Sequence, residues 1–383
     1  MNCKSFFLPC ESLFGPGCLR GLGEELEKKG VNKALLVTDK GVVACGVAKK
    51  VASMLEENRI AYVLYADVEP NPTLKNVEQG VAAYQREGCD FLIALGGGSP
   101  NDCAKAIGIL LSNGGDLHDY QGLDQSRHRA PPIIAINTTA GTASEISRAY
   151  LITDEQTQVK MIMKDRNCMA DIAVNDPELM TGLPGPLTAA TGMDALTHAV
   201  ESYVSTRAFP LTQAFAREAV EMIFRYLPKA VREPGNLEAR EQMTYAQYLA
   251  GMSFGNGGLG LVHSMAHPLG AVYHLGHGIC NAILLPYVIR FNTQAAAAGY
   301  AQLANFLWPA AAPRSDEEGA RLLLEKIRGL SEEVGTLIPL KELGVKSEDL
   351  FMLAEKALAD GNLASNPVQP TAEQVQALYQ EAL

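Results

Sequence analysis

The chain has 383 residues, too long for one ordinary hydrophobic core, so two domains are expected. Hydrophobic residues make up 47% and charged ones 20%, which is the balance of a soluble globular protein. A formal net charge of −11 argues against a general nucleic-acid or anionic-membrane surface, so neither partner is expected. The cysteines (Cys3, Cys10, Cys18, Cys45, Cys89, Cys103, Cys168 and Cys280) include no C-x-x-C pair, which suits reduced thiols in the cytoplasm. Met1 to Pro9 carries no sustained apolar run, so no signal peptide is read.

The first half alternates β-branched runs with amphipathic segments. Lys33–Asp39 reads as a strand and Val47–Asn58 as a helix, with apolar Val47, Val51, Met54 and Leu55 on one face. Ile60–Tyr65 is the next strand, Thr73–Gly88 a helix, Phe91–Leu95 a strand, Pro100–Asn113 a helix and Ile133–Ile136 a strand. Such βαβα alternation predicts a parallel sheet with helices on both faces, and ligands then bind beyond the carboxyl ends of the strands. Tyr150–Thr153 and Lys160–Met163 read as an added hairpin, and Asp171–Asn175 as a further strand. Gly182, Pro184, Gly185 and Pro186 then cluster, and beyond them long helical patterns run to the end. The expected division is an α/β domain over residues 1–184 and an all-helical domain over 185–383.

Three strand ends carry ligand-compatible residues. After the first strand stands Asp39, able to accept from a ribose diol or simply to form the turn before Lys40-Gly41. After the third stands Gly96-Gly97-Gly98-Ser99-Pro100-Asn101-Asp102, where glycines admit a close ligand and a helix start suits a pyrophosphate. Ser99 could cap that helix or donate to a phosphate oxygen. After the fourth stands Asn137-Thr138-Thr139-Ala140-Gly141-Thr142-Ala143-Ser144-Glu145, hydroxyl-rich and fit either for a cofactor or for local capping. Three such loops on one sheet edge favour a dinucleotide.

Of the seven histidines, five lie between His198 and His277, and no Asp, Glu, Lys or Arg occurs between Glu241 and Arg290. That uncharged stretch is long enough to span a bilayer, but Asn256, Gly257, Gly258, His263, His267, Pro268 and His274 interrupt it, so a buried core is the better reading. Buried histidines need hydrogen-bonding partners or a metal. Asp194 and His198 are four apart on one helical face, as are His263 and His267, and His277 follows at another helix start. Any one of these residues alone is most often a hydrogen-bonded core group. Clustered, one carboxylate and three imidazoles suit Fe²⁺, Zn²⁺, Mn²⁺ or Co²⁺, and an open position would make the site catalytic.

The motifs Gly96-Gly97-Gly98-Ser99-Pro100-Asn101-Asp102-Cys103-Ala104-Lys105, Thr138 to Glu145, Gly192-Met193-Asp194-Ala195-Leu196-Thr197-His198, Ala266-His267-Pro268-Leu269-Gly270 and His277-Gly278 together resemble the iron-containing (group III) alcohol dehydrogenases. The resemblance covers essentially the whole chain and is nearest to the branch with lactaldehyde reductase, methanol dehydrogenase and butanol dehydrogenases. It implies a Rossmann-like α/β dinucleotide-binding domain, an all-α C-terminal domain, a metal and active site in the cleft between them, and a homodimer or higher homo-oligomer. It implies metal ligands at Asp194, His198, His263 and His277. For the cofactor it implies Asp39 at the adenosine ribose, Asn71, Gly97, Gly98 and Ser99 around ribose and pyrophosphate, Thr138, Thr139 and Thr142 further along, and Lys160 near the nicotinamide ribose. Asp39 stands where NADP-using relatives often have a small residue, so NAD is the expected cofactor. Ala143 departs from a common glycine, and Ala149 from an asparagine some members carry.

The resemblance places His267 close to the metal and substrate but outside the ligand set, and a proton relay is the role expected of it. The expected reaction is metal-assisted hydride transfer between NAD(H) and a small primary alcohol or diol and its aldehyde. A glycerol-dehydrogenase-like or dehydroquinate-synthase-like enzyme shares the architecture, and a nucleotide-binding metal sensor is the non-enzymatic alternative. Phe254, Leu259 and Val262 are the candidates for lining the pocket.

Overall fold

The computed structural model describes residues 4–157, 159–311 and 315–383, and Cys3 lies outside them. The chain divides into two compact units: Leu8–Leu183, and Pro184–Leu383 with the described part of Met1–Phe7.

In the first unit the strands are β1 (Glu11–Phe14), β2 (Lys33–Val37), β3 (Ala61–Tyr65), β4 (Phe91–Gly96), β5 (Gly122–Leu123), β6 (Ile133–Asn137), β7 (Ala149–Asp154), β8 (Val159–Lys164) and β9 (Ile172–Asn175). The helices are α1 (Leu22–Lys29), α2 (Lys40–Ala44), α3 (Val47–Glu57), α4 (Leu74–Glu87) and α5 (Gly98–Asn113). Six strands form one parallel sheet in the order β1-β9-β6-β4-β2-β3. Alternate residues face opposite layers, as the period of two requires. Leu35, Val37, Leu92, Ala94, Ile133 and Ala135 pack with α4, α5 and the hairpin β7–β8. Ala34, Leu36, Phe91, Ile93, Ile134 and Ile136 pack with α1 and α3. The chain leaves β2 for β3 on one side and resumes with β4 on the other, so strand order reverses between β2 and β4. That reversal opens the crevice in which such sheets take ligands.

The predicted parallel sheet and the antiparallel hairpin are both present. α1, α2 and the short β5, which pairs with β8, add to the expected elements, and two further differences bear on the sheet edge and the strand-end loop. β1 was not legible, and it pairs only with β9 at the sheet edge. α5 begins at Gly98, two residues before the expected Pro100, so Ser99 lies inside the first turn and cannot cap it. Proline is tolerated there because the first four helical N–H groups have no intrahelical partner to lose.

The second unit is helical: α6 (Gly185–Val204), α7 (Pro210–Arg232), α8 (Leu237–Gly257), α9 (Leu261–Tyr273), α10 (His277–Leu307), α11 (Asp316–Glu333), α12 (Leu350–Leu358) and α13 (Ala372–Ala382). Leu261 to Ala271 is buried without a break, which explains the uncharged sequence of α9: up to Ala271 no face of it meets water. No helix among the described residues is long and apolar enough to cross a membrane. The N-terminal segment joins this unit through Phe6, whose ring meets Phe209 edge-on at 6.1 Å and stacks on Phe215 at 5.9 Å.

Candidate functional site

Three helices of the second unit bring Asp194, His198, His263 and His277 together, with one ligand atom of each within 4.8 Å of the others. Asp194 and His198 share a face of α6, His263 lies in the first turn of α9, and His277 opens α10. Three imidazole nitrogens surround a single oxygen, Asp194 Oδ1: His277 Nε2 at 3.6 Å, His198 Nε2 at 3.9 Å and His263 Nε2 at 4.0 Å. The convergence depends on Gly278, where a Cβ would fall 2.6 Å from the Ala190 carbonyl oxygen. Any larger residue would push the start of α10, and His277 with it, away from α6.

The ring planes are held as well as the atoms. Phe254 stacks on His198 at 4.4 Å, and His198 stacks on His263 at 4.7 Å. The Glu201 carboxylate accepts from His263 Nδ1 at 2.6 Å and from the Val262 N–H at 2.6 Å. Burial pushes the Glu201 carboxyl up, and the N–H groups of Val262, Gly260 and His263 pull it back by favouring the carboxylate.

Asn281, one turn beyond His277, sets its Nδ2 at 2.6 Å from Asp194 Oδ1, 3.1 Å from His277 Nε2 and 3.2 Å from His263 Nε2. Its own Oδ1 is buried without a partner. Lone pairs of one carboxylate and two imidazoles thus converge on an amide that carries only two protons. A positive charge at that point is what the donors call for, and an all-N/O set of this kind fits a divalent transition metal.

His267 stands beside the cluster and is not part of it. Its ring stacks on His277 at 5.3 Å, and its Nδ1 lies 2.6 Å from Asp360 Oδ2. His274 is exposed and ends α9 in the left-handed conformation, φ 56°, so it belongs to the helix terminus. Glu201, Asn281 and Asp360 were not singled out from the sequence. Glu201 had a signal, since it continues the 194/198 face one turn further on. Asn281 stands four residues after His277. Asp360 gave none.

In the first unit, Asp39, Gly97, Gly98, Ser99, Thr138, Thr139 and Thr142 follow the carboxyl ends of the adjacent strands β2, β4 and β6. Asp39 caps α2, its Oδ1 accepting from Val42 N at 2.9 Å. The β4 and β6 loops touch: a Cβ on Gly97 would meet Thr139 Oγ1 at 2.9 Å, and one on Gly98 would meet Thr142 Cγ2 at 3.3 Å. Thr139 Oγ1 and Asn101 Oδ1 are buried without partners, two unsatisfied polar atoms beside these loops. The Asn101 amide also donates to the Gly97 carbonyl at 2.8 Å. Asn71 and Lys160, distant in sequence, meet at 2.9 Å. Lys105, fully buried, donates to Ser144 O at 2.6 Å and Ala149 O at 2.9 Å, and so ties the β6 loop to the hairpin.

Residues 9–177 match the sequence profile of the iron-containing alcohol dehydrogenases, and residues 188–383 match that of the C-terminal part of the Fe-containing alcohol dehydrogenase family. The chain belongs to the iron-containing alcohol dehydrogenase family. In particular, it is 45% identical to alcohol dehydrogenase 4 of Schizosaccharomyces pombe, over 100% of this chain and 90% of that protein. It is 41% identical to the NAD-dependent methanol dehydrogenase of Bacillus methanolicus, over 99% of this chain and 100% of that protein. Among solved structures it is similar to a 1,3-propanediol oxidoreductase, with a TM-score of 0.97, 43% identity and complete coverage of both chains. The family and the class of oxidoreductase expected from the motifs are therefore those the chain has.

Proposed function

We propose that the protein transfers hydride between NAD(H) and a small primary alcohol or diol and its aldehyde, using Fe²⁺ or a similar divalent metal held by Asp194, His198, His263 and His277. The observation that carries this reading is the gathering of three imidazole nitrogens around one oxygen of Asp194. Residues 1–184 would form the dinucleotide-binding domain and residues 185–383 the metal-binding catalytic domain.

When bound, the metal supplies Lewis-acid polarisation of the substrate oxygen, and the nicotinamide supplies the hydride acceptor. Asp194 provides the one anionic ligand, and the three imidazoles present neutral nitrogens. α9, itself uncharged and buried from Leu261 to Ala271, helps to keep water away, which strengthens every electrostatic contact in the centre. Asp360 holds His267 Nδ1, leaving Nε2 to take up the alcohol proton.

On the cofactor side, Asp39 receives the adenosine ribose and its charge repels a 2′-phosphate, which favours NAD over NADP. Gly97, Gly98 and Ser99 open α5 towards the pyrophosphate, where backbone N–H groups and the helix dipole favour an anion. Thr138, Thr139 and Thr142 line the cofactor beyond, with Asn71 and Lys160 at the riboses. The name of the methanol-oxidising relative supports NAD, and the names of the propanediol and methanol enzymes support small alcohols. A cytoplasmic setting is supported by the described cysteines, all of them free thiols. A homo-oligomer follows from the family resemblance alone.

The test is a turnover screen of short primary alcohols, 1,3-diols, glycerol and the matching aldehydes with both nicotinamide cofactors. Expected is NADH formation from primary alcohols or diols, abolished by chelator and restored by Fe²⁺. Chelator-resistant turnover, or glycerol used faster than every primary alcohol, would overturn the reading. No turnover with any of them would favour the metal-sensor alternative.

A further inference from the structure

We infer that Glu201 is the positioning residue of the metal centre, its carboxylate fixing both the orientation of the His263 ring and the helix start that carries it. The inference rests on the ligand assignment proposed above.

α9 begins after Gly260, which has no side chain to cap the first turn. The unpaired N–H groups of a helix start are usually met by a Ser, Thr, Asp or Asn at that position. Here they are met from elsewhere in the fold: Val262 N donates to Glu201 Oε1 at 2.6 Å and Leu261 N to Asn366 Oδ1 at 3.0 Å. Gly260 is required by this arrangement, because a Cβ there would lie 2.6 Å from Asn366 Oδ1 and 3.0 Å from Glu201 Oε1. The second oxygen of Glu201 lies 2.6 Å from His263 Nδ1. One carboxylate on α6 therefore sets the register of α9 and the ring of its first-turn histidine together, and α6 also carries Asp194 and His198.

The chemical consequence concerns the tautomer. An imidazole that donates Nδ1–H to a carboxylate must present the lone pair of Nε2, and the negative partner makes that nitrogen a better ligand. Nε2 is the His263 atom that faces Asp194. Glutamine at 201 would keep the shape but offer one acceptor and one NH₂ group. If its oxygen keeps the Val262 N–H, the NH₂ faces Nδ1 and drives the proton to Nε2, where it blocks ligation. In the other orientation the ring is held and the helix start loses its acceptor.

The experiment uses the full chain, stripped with chelator and titrated with Co²⁺ against a chromophoric chelator. Expected for Glu201→Gln is Co²⁺ binding weaker by about 10–100-fold, the range for partners of metal-bound histidines. Its Co²⁺ absorption spectrum should be altered, while NADH affinity stays close to the native value. A folded Glu201→Gln protein with native Co²⁺ affinity and spectrum would overturn the inference. Should that variant not fold, long-range ¹H–¹⁵N NMR of the metal-free native protein decides the matter, since a metal on Nε2 would by itself force the proton to Nδ1. His263 should carry its proton on Nδ1, and a proton on Nε2 refutes the role. His198→Ala separates this from the assignment beneath it. Native Co²⁺ affinity in His198→Ala sinks the ligand set itself, whereas its loss there beside native affinity in Glu201→Gln sinks only the role of Glu201.

Discussion

The strand ends of the α/β unit and the histidine cluster of the helical unit, the two candidate ligand sites, are built differently. The strand ends use backbone and short side chains: two glycines, three threonines and the opening N–H groups of α5. They leave Thr139 Oγ1 and Asn101 Oδ1 buried without hydrogen-bond partners. The cluster uses long side chains from three helices, and its imidazoles are steadied by carboxylates and rings: Glu201 behind His263, Asp360 behind the neighbouring His267 and Phe254 against His198. Backbone donors are shared among many contacts, so damage at the strand ends should be graded. A ligand set with one anion has no such reserve.

The largest effect is therefore expected at Asp194. Asp194→Ala would remove the one anionic member of the proposed ligand set and leave Asn281 without its nearest acceptor. Bound metal should fall to a small fraction of the native content. Turnover should fall on the order of 10³-fold or more, the scale of several kcal/mol of Lewis-acid stabilisation. NADH binding should hardly change, because the residues proposed to hold it lie in the other unit. Metal analysis of the purified variant checks this, and an unchanged metal-to-protein ratio refutes the assignment. His267→Ala should come next. Its loss of kcat should be about 10²-fold, as for a lost proton-transfer group, with metal content retained. Full kcat in that variant would exclude the relay.

At the strand ends the expected effect is smaller and selective. Asp39→Gly removes the carboxylate that would meet the ribose diol, and glycine is tolerated at a helix cap within a few tenths of a kcal/mol. Thermal stability should barely move. The KM for NAD should rise roughly tenfold, as for a lost charge-assisted hydrogen bond, while use of NADP improves. Steady-state kinetics with both cofactors decide it, and an unchanged preference would remove Asp39 from the cofactor site.

The same contrast explains what could be read in advance. The sheet was legible because period-two alternation sorts Leu35 and Val37 to one layer and Ala34 and Leu36 to the other. The Asp194–His198 pair was legible because a helix fixes residues four apart on one face. Ser99 reads as a possible cap because Pro100 resembles a helix start, whereas α5 begins at Gly98 and takes the proline inside its first turn without losing a bond. β1 escaped because four residues carry no usable period and its partner β9 lies far along the chain. The groups that steady the cluster were hidden by distance: Glu201 reaches His263 across 62 residues and Asp360 reaches His267 across 93. No local pattern encodes such pairs, since they are consequences of helix packing.

The smallest effect is expected at Ala143, in the loop after β6. It is fully buried and has φ 49°, in the left-handed region where a Cβ costs about 1–2 kcal/mol. Replacing it by glycine relieves that cost. Against the gain stand the freedom glycine adds to the unfolded chain, about 0.4–1 kcal/mol, and the loss of a buried methyl group, roughly 0.8 kcal/mol. These terms are of one size, so Ala143→Gly should leave the melting temperature within about 2 °C of native, since 1 kcal/mol shifts a domain of 150–250 residues by roughly 2–4 °C. The loop's backbone path is unchanged by glycine, so the KM for NAD should also hold. A loss beyond about 5 °C by calorimetry would mean that the alanine methyl contributes more packing than its strain removes. Ala143→Val should be far worse than either, because a β-branched side chain at positive φ is strained and the site has no solvent-facing room.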